Sequence, residues 1–271
     1  IDLITDIYMT VRFFNTEGQE GYGRMNTWLI SLTMLCQVVV AYSQNSKKPS
    51  MFFQDAICIF TGFKPALDAY KVGSGFEQED HQIIPPLQEM SLCKGIEVVF
   101  EAVPATIIQA YAFLLASEKS TGALISILVS AATIGFTSST LTYDWDTSPS
   151  GKDKNSAFYG FVPDKALLRA VCFLSMMSLT FAHVLLLCFS CALLAMINPK
   201  WLAYYLAADM GLFVLYKILR RDFYYFVNLQ GPVRLIVAIV QKVGVKCLVN
   251  FTLMIQLRNP CEAGGIMFSF S

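Results

Sequence analysis

The stretch Lys94-Gly-Ile-Glu97-Val-Val-Phe-Glu101-Ala-Val-Pro104-Ala-Thr-Ile-Ile-Gln109 decides what kind of protein this is. It lies within an apolar run from Glu89 to Ser117, longer than the roughly 20 residues a helix needs to cross about 30 Å of hydrocarbon. Lys94, Glu97, Glu101 and Gln109 recur at helical spacing and share one face of that helix. An apolar span carrying a charged stripe is expected to cross a membrane with the stripe turned away from lipid. Pro104 frees the carbonyl of Phe100 and predicts a kink beside Glu101.

The rest of the chain has the same character. Of 271 residues 55% are hydrophobic and 15% charged, and the mean hydropathy is +0.52, outside the balance of a water-soluble domain. Further spans are expected over Ile1 to Phe14 (the visible part of a first helix), Met25 to Gln44, Gly122 to Thr142, Ala166 to Ile197, Trp201 to Leu219 and Pro232 to Leu257. Polar turns are expected from Asn15 to Gly23 and at Asn198-Pro199, a long polar loop from Tyr143 to Asp164, and an interfacial segment from Arg220 to Gln230. Met51 to Lys71 is apolar but broken by Gly62, Lys64, Pro65 and Asp68, a pattern that predicts a re-entrant segment with a kink at Pro65. That reading puts Lys47, Lys48, Lys71, Lys152, Lys154, Lys165, Arg220, Arg221 and Arg234 on one face, which the positive-inside rule makes cytosolic.

Composition also excludes several classes. Twenty basic and twenty acidic residues leave no positive excess for nucleic acid. Seven of the eight cysteines sit in apolar runs, where a thiol behaves as a small hydrophobe, and are expected to be reduced. Two histidines and no HExxH leave little for a metal, so no cofactor is expected.

The charges inside the spans carry the functional signal. Besides the Lys94 stripe there are Asp2 and Asp6 on the first helix, Asp209, and a basic stripe with Lys242 and Lys246. Six such groups facing lipid would cost roughly 15 to 20 kcal/mol, as much as a whole domain's stability, so they must be paired, hydrated or near the interface. One stripe is mostly acidic and the other basic, which predicts that Glu97 and Glu101 face Lys242 and Lys246. Buried pairs of this kind either fix helix register or line a pathway. Gly122, Ser126 and Ser130 make a small-residue face for close helix packing.

Asp2-Leu-Ile-Thr-Asp6, followed by an aromatic helix end and a Gly turn, resembles the opening of the XK-related membrane proteins. Glu101-Ala-Val-Pro104-Ala-Thr-Ile-Ile-Gln109-Ala-Tyr111 is similar to that family's Glu, Pro, Gln, Tyr signature helix, with Ala105 where the family usually has Gln. The match covers roughly the first 115 residues, and the remainder only by arrangement. It implies an all-α polytopic bundle of two helical repeats, 1–142 and 166–271, joined by the loop 143–165. Met51 to Lys71 and Trp201 to Phe226 would be the two re-entrant elements, and the Lys242 helix would lie opposite the Glu97 helix.

Three functions are compatible with these features. The first, implied by the resemblance, is phospholipid scrambling along a polar groove, with Asp2, Asp6, Glu97 and Glu101 meeting choline or amine and Lys242 and Lys246 meeting phosphate. No nucleotide motif GxxxxGK[ST] is present, so movement would be down-gradient. The second is a non-transporting assembly subunit whose charges only specify packing. The third is a seven-helix receptor or ion-translocating protein using a lysine such as Lys242 or Lys246, against which Ala238 stands where a carboxylate partner would be sought. No nucleophile and base can be assembled, so an enzyme is not expected. Membrane phospholipids are the expected partner, with a single-pass membrane protein or a second copy of the chain beside them, and the plasma membrane is the expected location.

Overall fold

A computed structural model describes residues 2–76, 78, 82–116, 119–147, 162–220 and 246, and every regular element among them is helical. Five helices are long and apolar enough to cross a membrane: Glu20–Asn45, Pro86–Leu115, Thr121–Asp144, Ala166–Ile197 and Pro199–Leu219. This is the arrangement of a multi-pass membrane protein. The chain forms two compact units, Ile1–Ser130 and Ala131–Ser271, whose boundary falls inside a helix.

In the first unit, α1 (Asp2–Asn15) turns back into α2 (Glu20–Asn45). The turn is shorter than the sequence suggests, because α2 begins at Glu20. Tyr22 sets its first turn, with ring centroids 5.8 Å from Phe13 and 6.0 Å from Tyr111. The faces of α2 are reversed relative to a soluble helix. Asn26, Thr33, Gln37 and Gln44 are buried, while Met25, Trp28, Leu35, Val39 and Tyr42 are exposed. Apolar side chains pointing outward are the solution a lipid solvent favours.

Two short helices follow, α3 (Pro49–Phe60) and α4 (Lys64–Gly73). At 1.5 Å per residue they reach about 18 Å and 15 Å, each too short to cross a bilayer. Gly62 reverses the chain between them with φ of +75°, a conformation that favours glycine, and a Cβ there would lie 2.7 Å from Leu3 Cδ2 and push that side chain aside. Pro65 does not kink a helix. It stands in the first turn of α4, where its missing N–H costs nothing.

The helix that carries Glu97, Glu101 and Pro104 begins at Pro86 and runs as α5 (Pro86–Glu97), a π turn (Val98–Ala102) and α6 (Val103–Leu115). The expected distortion beside Glu101 is this π turn. Pro104 lies in the first turn of α6 just after it, and Thr106 Oγ1 donates to the Ala102 carbonyl at 2.6 Å. Lys119 closes α6, its Nζ donating to the carbonyls of Phe113, Leu114 and Ala116 at 2.8, 2.8 and 2.9 Å.

Helix α7 (Thr121–Thr147) crosses the unit boundary. Ser126 and Ser130 on its small-residue face are buried. It extends past Tyr143, where the sequence suggests a loop, because Tyr143 packs on Phe173 (6.3 Å) and Asp146 accepts from the Val162 N–H (2.7 Å). The second unit adds α8 (Ala166–Ile197) and α9 (Pro199–Arg220). Met176, Thr180, Val184 and Cys188 form the buried stripe of α8, spaced by four. Gly135 lets α7 approach α8 closely, since a Cβ would meet the Met177 carbonyl at 3.0 Å. Through its described part α9 is one continuous helix, without the break that Gly62 makes in the α3–α4 hairpin. The expected span Pro232 to Leu257 lies outside the described residues except for Lys246. Six cysteines among the described residues are free thiols.

Candidate functional site

The polar interior of the first unit has three parts. The densest lies under the α3–α4 hairpin. Lys64, 1% exposed, puts its Nζ 2.7 Å from Asp68 Oδ1, 2.7 Å from Glu89 Oε1 and 3.6 Å from Asp55 Oδ2. Lys71 Nζ meets Asp55 Oδ1 at 3.0 Å. From α2, Asn45 Nδ2 donates to Asp55 Oδ2 at 2.8 Å and Gln44 Nε2 donates to Glu89 Oε2 at 3.2 Å. Gln44 Oε1 accepts from the N–H groups of Ile83 and Ile84 at 3.0 Å, tying down the approach to α5. Burial works against charge on Lys64, but Asp68, Glu89 and Asp55 outweigh it and hold the ammonium above its ordinary range.

Beside this cluster lies a cleft between α1, α2, the hairpin and the π turn. Thr33, Gln37, Lys64, Glu97 and Glu101 give it a polar lining, with Gly62 and Pro65 from the hairpin turn and Leu3, Met34 and Ile59 as its apolar part. Glu101 is buried and Glu97 half-buried. Glu97 just before the π turn and Glu101 within it, four residues apart, both reach this one cleft.

The third part joins α1, α2 and α6. Gln109 Nε2 donates to Asp6 Oδ1 at 2.9 Å. Asn26 Nδ2 donates to the Asp6 carbonyl at 3.1 Å and to Thr10 Oγ1 at 2.7 Å, while Thr10 Oγ1 donates to the same carbonyl at 2.7 Å. Asp6, Asn26 and Gln109 are all buried.

In the second unit Lys246 Nζ lies 3.7 Å from Asp209 Oδ2. Both Lys217 and Lys246 hold their ammonium groups over the Phe213 ring, at 5.8 and 5.6 Å from its centroid.

Sequence reading singles out several of these residues one by one, but not the pairings in which the structure places them, and its expected pairing of Glu97 and Glu101 with Lys242 and Lys246 falls partly outside the described residues. Glu97, Glu101 and Pro65 share a cleft, Asp6 meets Gln109, and Lys246 meets Asp209. Lys94 is half-buried and does not line the cleft. Asp2 opens α1, and Lys242 lies outside the described residues. The residues not foreseen as a site are Asp55, Lys64, Asp68, Lys71 and Glu89, with Asn26, Thr33, Gln37 and Gln44 on α2. A signal for both sets exists. Lys64 and Asp68 are four apart, and the polar residues of α2 follow one another by seven, four and seven, which is one helix face. Compared with known proteins, the chain matches no family model and no curated relative.

Proposed function

We propose that this protein is a phospholipid scramblase of the XK-related type, in the plasma membrane, in which headgroups pass along the cleft while acyl chains stay in hydrocarbon. The observation that carries this reading is that Glu97 and Glu101 line one cleft within a unit whose outer helix faces are apolar. Carboxylates suit the cationic end of a zwitterionic headgroup. Buried ionisable groups in membrane proteins commonly mark such pathways. The α3–α4 hairpin, too short to span, is the re-entrant element, and the signature residues Glu101, Pro104, Gln109 and Tyr111 support the family assignment.

A second reading is favoured by one observation, the cluster around Lys64. Its charges contact one another, as expected of an assembly subunit whose ions fix packing.

Reconstitution separates the two. Purified protein in liposomes with headgroup-labelled lipid should expose inner-leaflet probe to an impermeant quencher. Replacing Glu97 and Glu101 together by glutamine should slow exposure by at least about tenfold, the loss expected when a charge-assisted contact is removed. Lys94→Gln, outside the cleft, should leave the rate unchanged. Exposure no faster than in empty liposomes overturns the scramblase reading.

A further inference from the structure

The charges around Lys64 do not balance. Asp55, Asp68 and Glu89 bring three carboxylates and Lys64 and Lys71 two ammonium groups, so the cluster carries one net negative charge when every group is ionised. All three carboxylates are buried. A buried charge without a counterion is costly enough that the group takes up a proton instead, and one proton makes this cluster neutral.

The geometry selects the carboxylate that takes it. Asp55 accepts from Lys71 and Asn45 at 3.0 and 2.8 Å, and Glu89 from Lys64 and Gln44 at 2.7 and 3.2 Å. Asp68 accepts from Lys64 alone among the described residues, at 2.7 Å. Donors favour the charged form of a carboxylate, so the one with fewest is protonated first. Asp68 and Glu89 also stand 2.7 Å from the same nitrogen, and two like charges brought together in this way favour one proton between them. Burial is the main influence on the Asp68 carboxyl and pushes it above the ordinary carboxylate range, against the pull of Lys64. The other ionisable groups facing it are Lys71 on its own helix, Glu89 and Cys93 on α5 and, across Lys64, Asp55 on α3, while α2 brings only the carboxamides of Gln44 and Asn45. Protons can reach the cluster. Lys71 is partly exposed, and with Asn45, Gln54, Asp55 and Gln82 it lines a cavity of about 40 Å³, polar and roomy enough for a water molecule.

We propose that Asp68 is the proton-accepting group of a latch that holds the α3–α4 hairpin. With Asp68 protonated, Lys64, Lys71, Asp55 and Glu89 close as a neutral unit. When the proton leaves to water, one negative charge stays buried and the hairpin loosens. Asp68 holds its proton more tightly in the closed hairpin than in an opened one, so the latch is complete in acid and is lost as pH rises through the native value. Gly62, Lys64 and Pro65 of the hairpin line the Glu97 cleft, so the latch bears on that cleft too. It does not rest on the scramblase reading, because its test reads hairpin opening and not transport.

The full chain in detergent is followed by hydrogen exchange and mass spectrometry between about pH 5 and about pH 8, with rates corrected for the intrinsic pH dependence of exchange. Opening of α3 and α4 should rise by about tenfold for each unit of pH over which the proton is lost, while α8 keeps its protection. Asp68→Asn imitates the protonated form and should hold the hairpin at its acid-side protection throughout. Glu89→Gln also makes the cluster neutral with Asp68 ionised and should flatten the profile as well, which keeps the test valid if one variant does not fold. Infrared difference spectra across the same range should show one protonated carboxyl disappearing as pH rises, and neither variant should show it. A flat wild-type profile, a rise shared equally by α8, or a pH dependence that survives Asp68→Asn and Glu89→Gln overturns the proposal.

Discussion

The cluster around Lys64 and the network around Gln109 are both buried in the first unit, yet they are built on opposite plans. At Lys64 three carboxylates surround one ammonium, a second ammonium backs Asp55, and carboxamides from α2 take up further oxygens. At Gln109 a single carboxylate fixes one end of an amide whose other end is left open. A saturated network has nothing left to offer a ligand, and its strength goes into holding the hairpin against α2 and α5. The difference teaches that the most charged part of this interior is its scaffold.

Variants can break or sharpen that contrast. The largest effect is expected from Lys64→Met, which leaves Asp55, Asp68 and Glu89 without their shared cation and should cost about 3 to 5 kcal/mol. Thermal unfolding in detergent reads it, and a loss below about 1 kcal/mol would mean that the cluster is not a scaffold. Gly62→Ala comes next, since it strains a positive φ and drives a Cβ into Leu3, and should cost about 1 to 3 kcal/mol in the same measurement. Thr33→Val removes a buried hydroxyl that makes no hydrogen bond among the described residues, and its stability change should stay within about 0.5 kcal/mol.

Much of the fold is legible from composition alone, because a helix must be long and apolar to cross lipid and the five spans meet that demand. Their ends are less so. The start of α2 depends on Tyr22 finding Phe13 and Tyr111, and the end of α7 on Phe173 and Val162, all contacts between distant residues. Glu97 and Glu101 are readable as a site because charge within a long apolar run is conspicuous. Lys64 and Asp68 are readable only as breaks in a segment, since what makes them a cluster is Glu89 from another helix. The polar face of α2 hides for a different reason. Uncharged Asn, Thr and Gln barely lower the hydropathy of a span, so their shared face is evident only by spacing.

The tip of the hairpin has a mechanical consequence. The Leu3 side chain fills the space that a Cβ at position 62 would need, so the first turn of α1 covers the hairpin tip, and Leu3 stands about one helical turn before Asp6 on the same helix. Sliding α1 along its axis by a turn, about 5.4 Å, would release the hairpin tip beside the Glu97 cleft and, in the same stroke, withdraw Asp6 from Gln109.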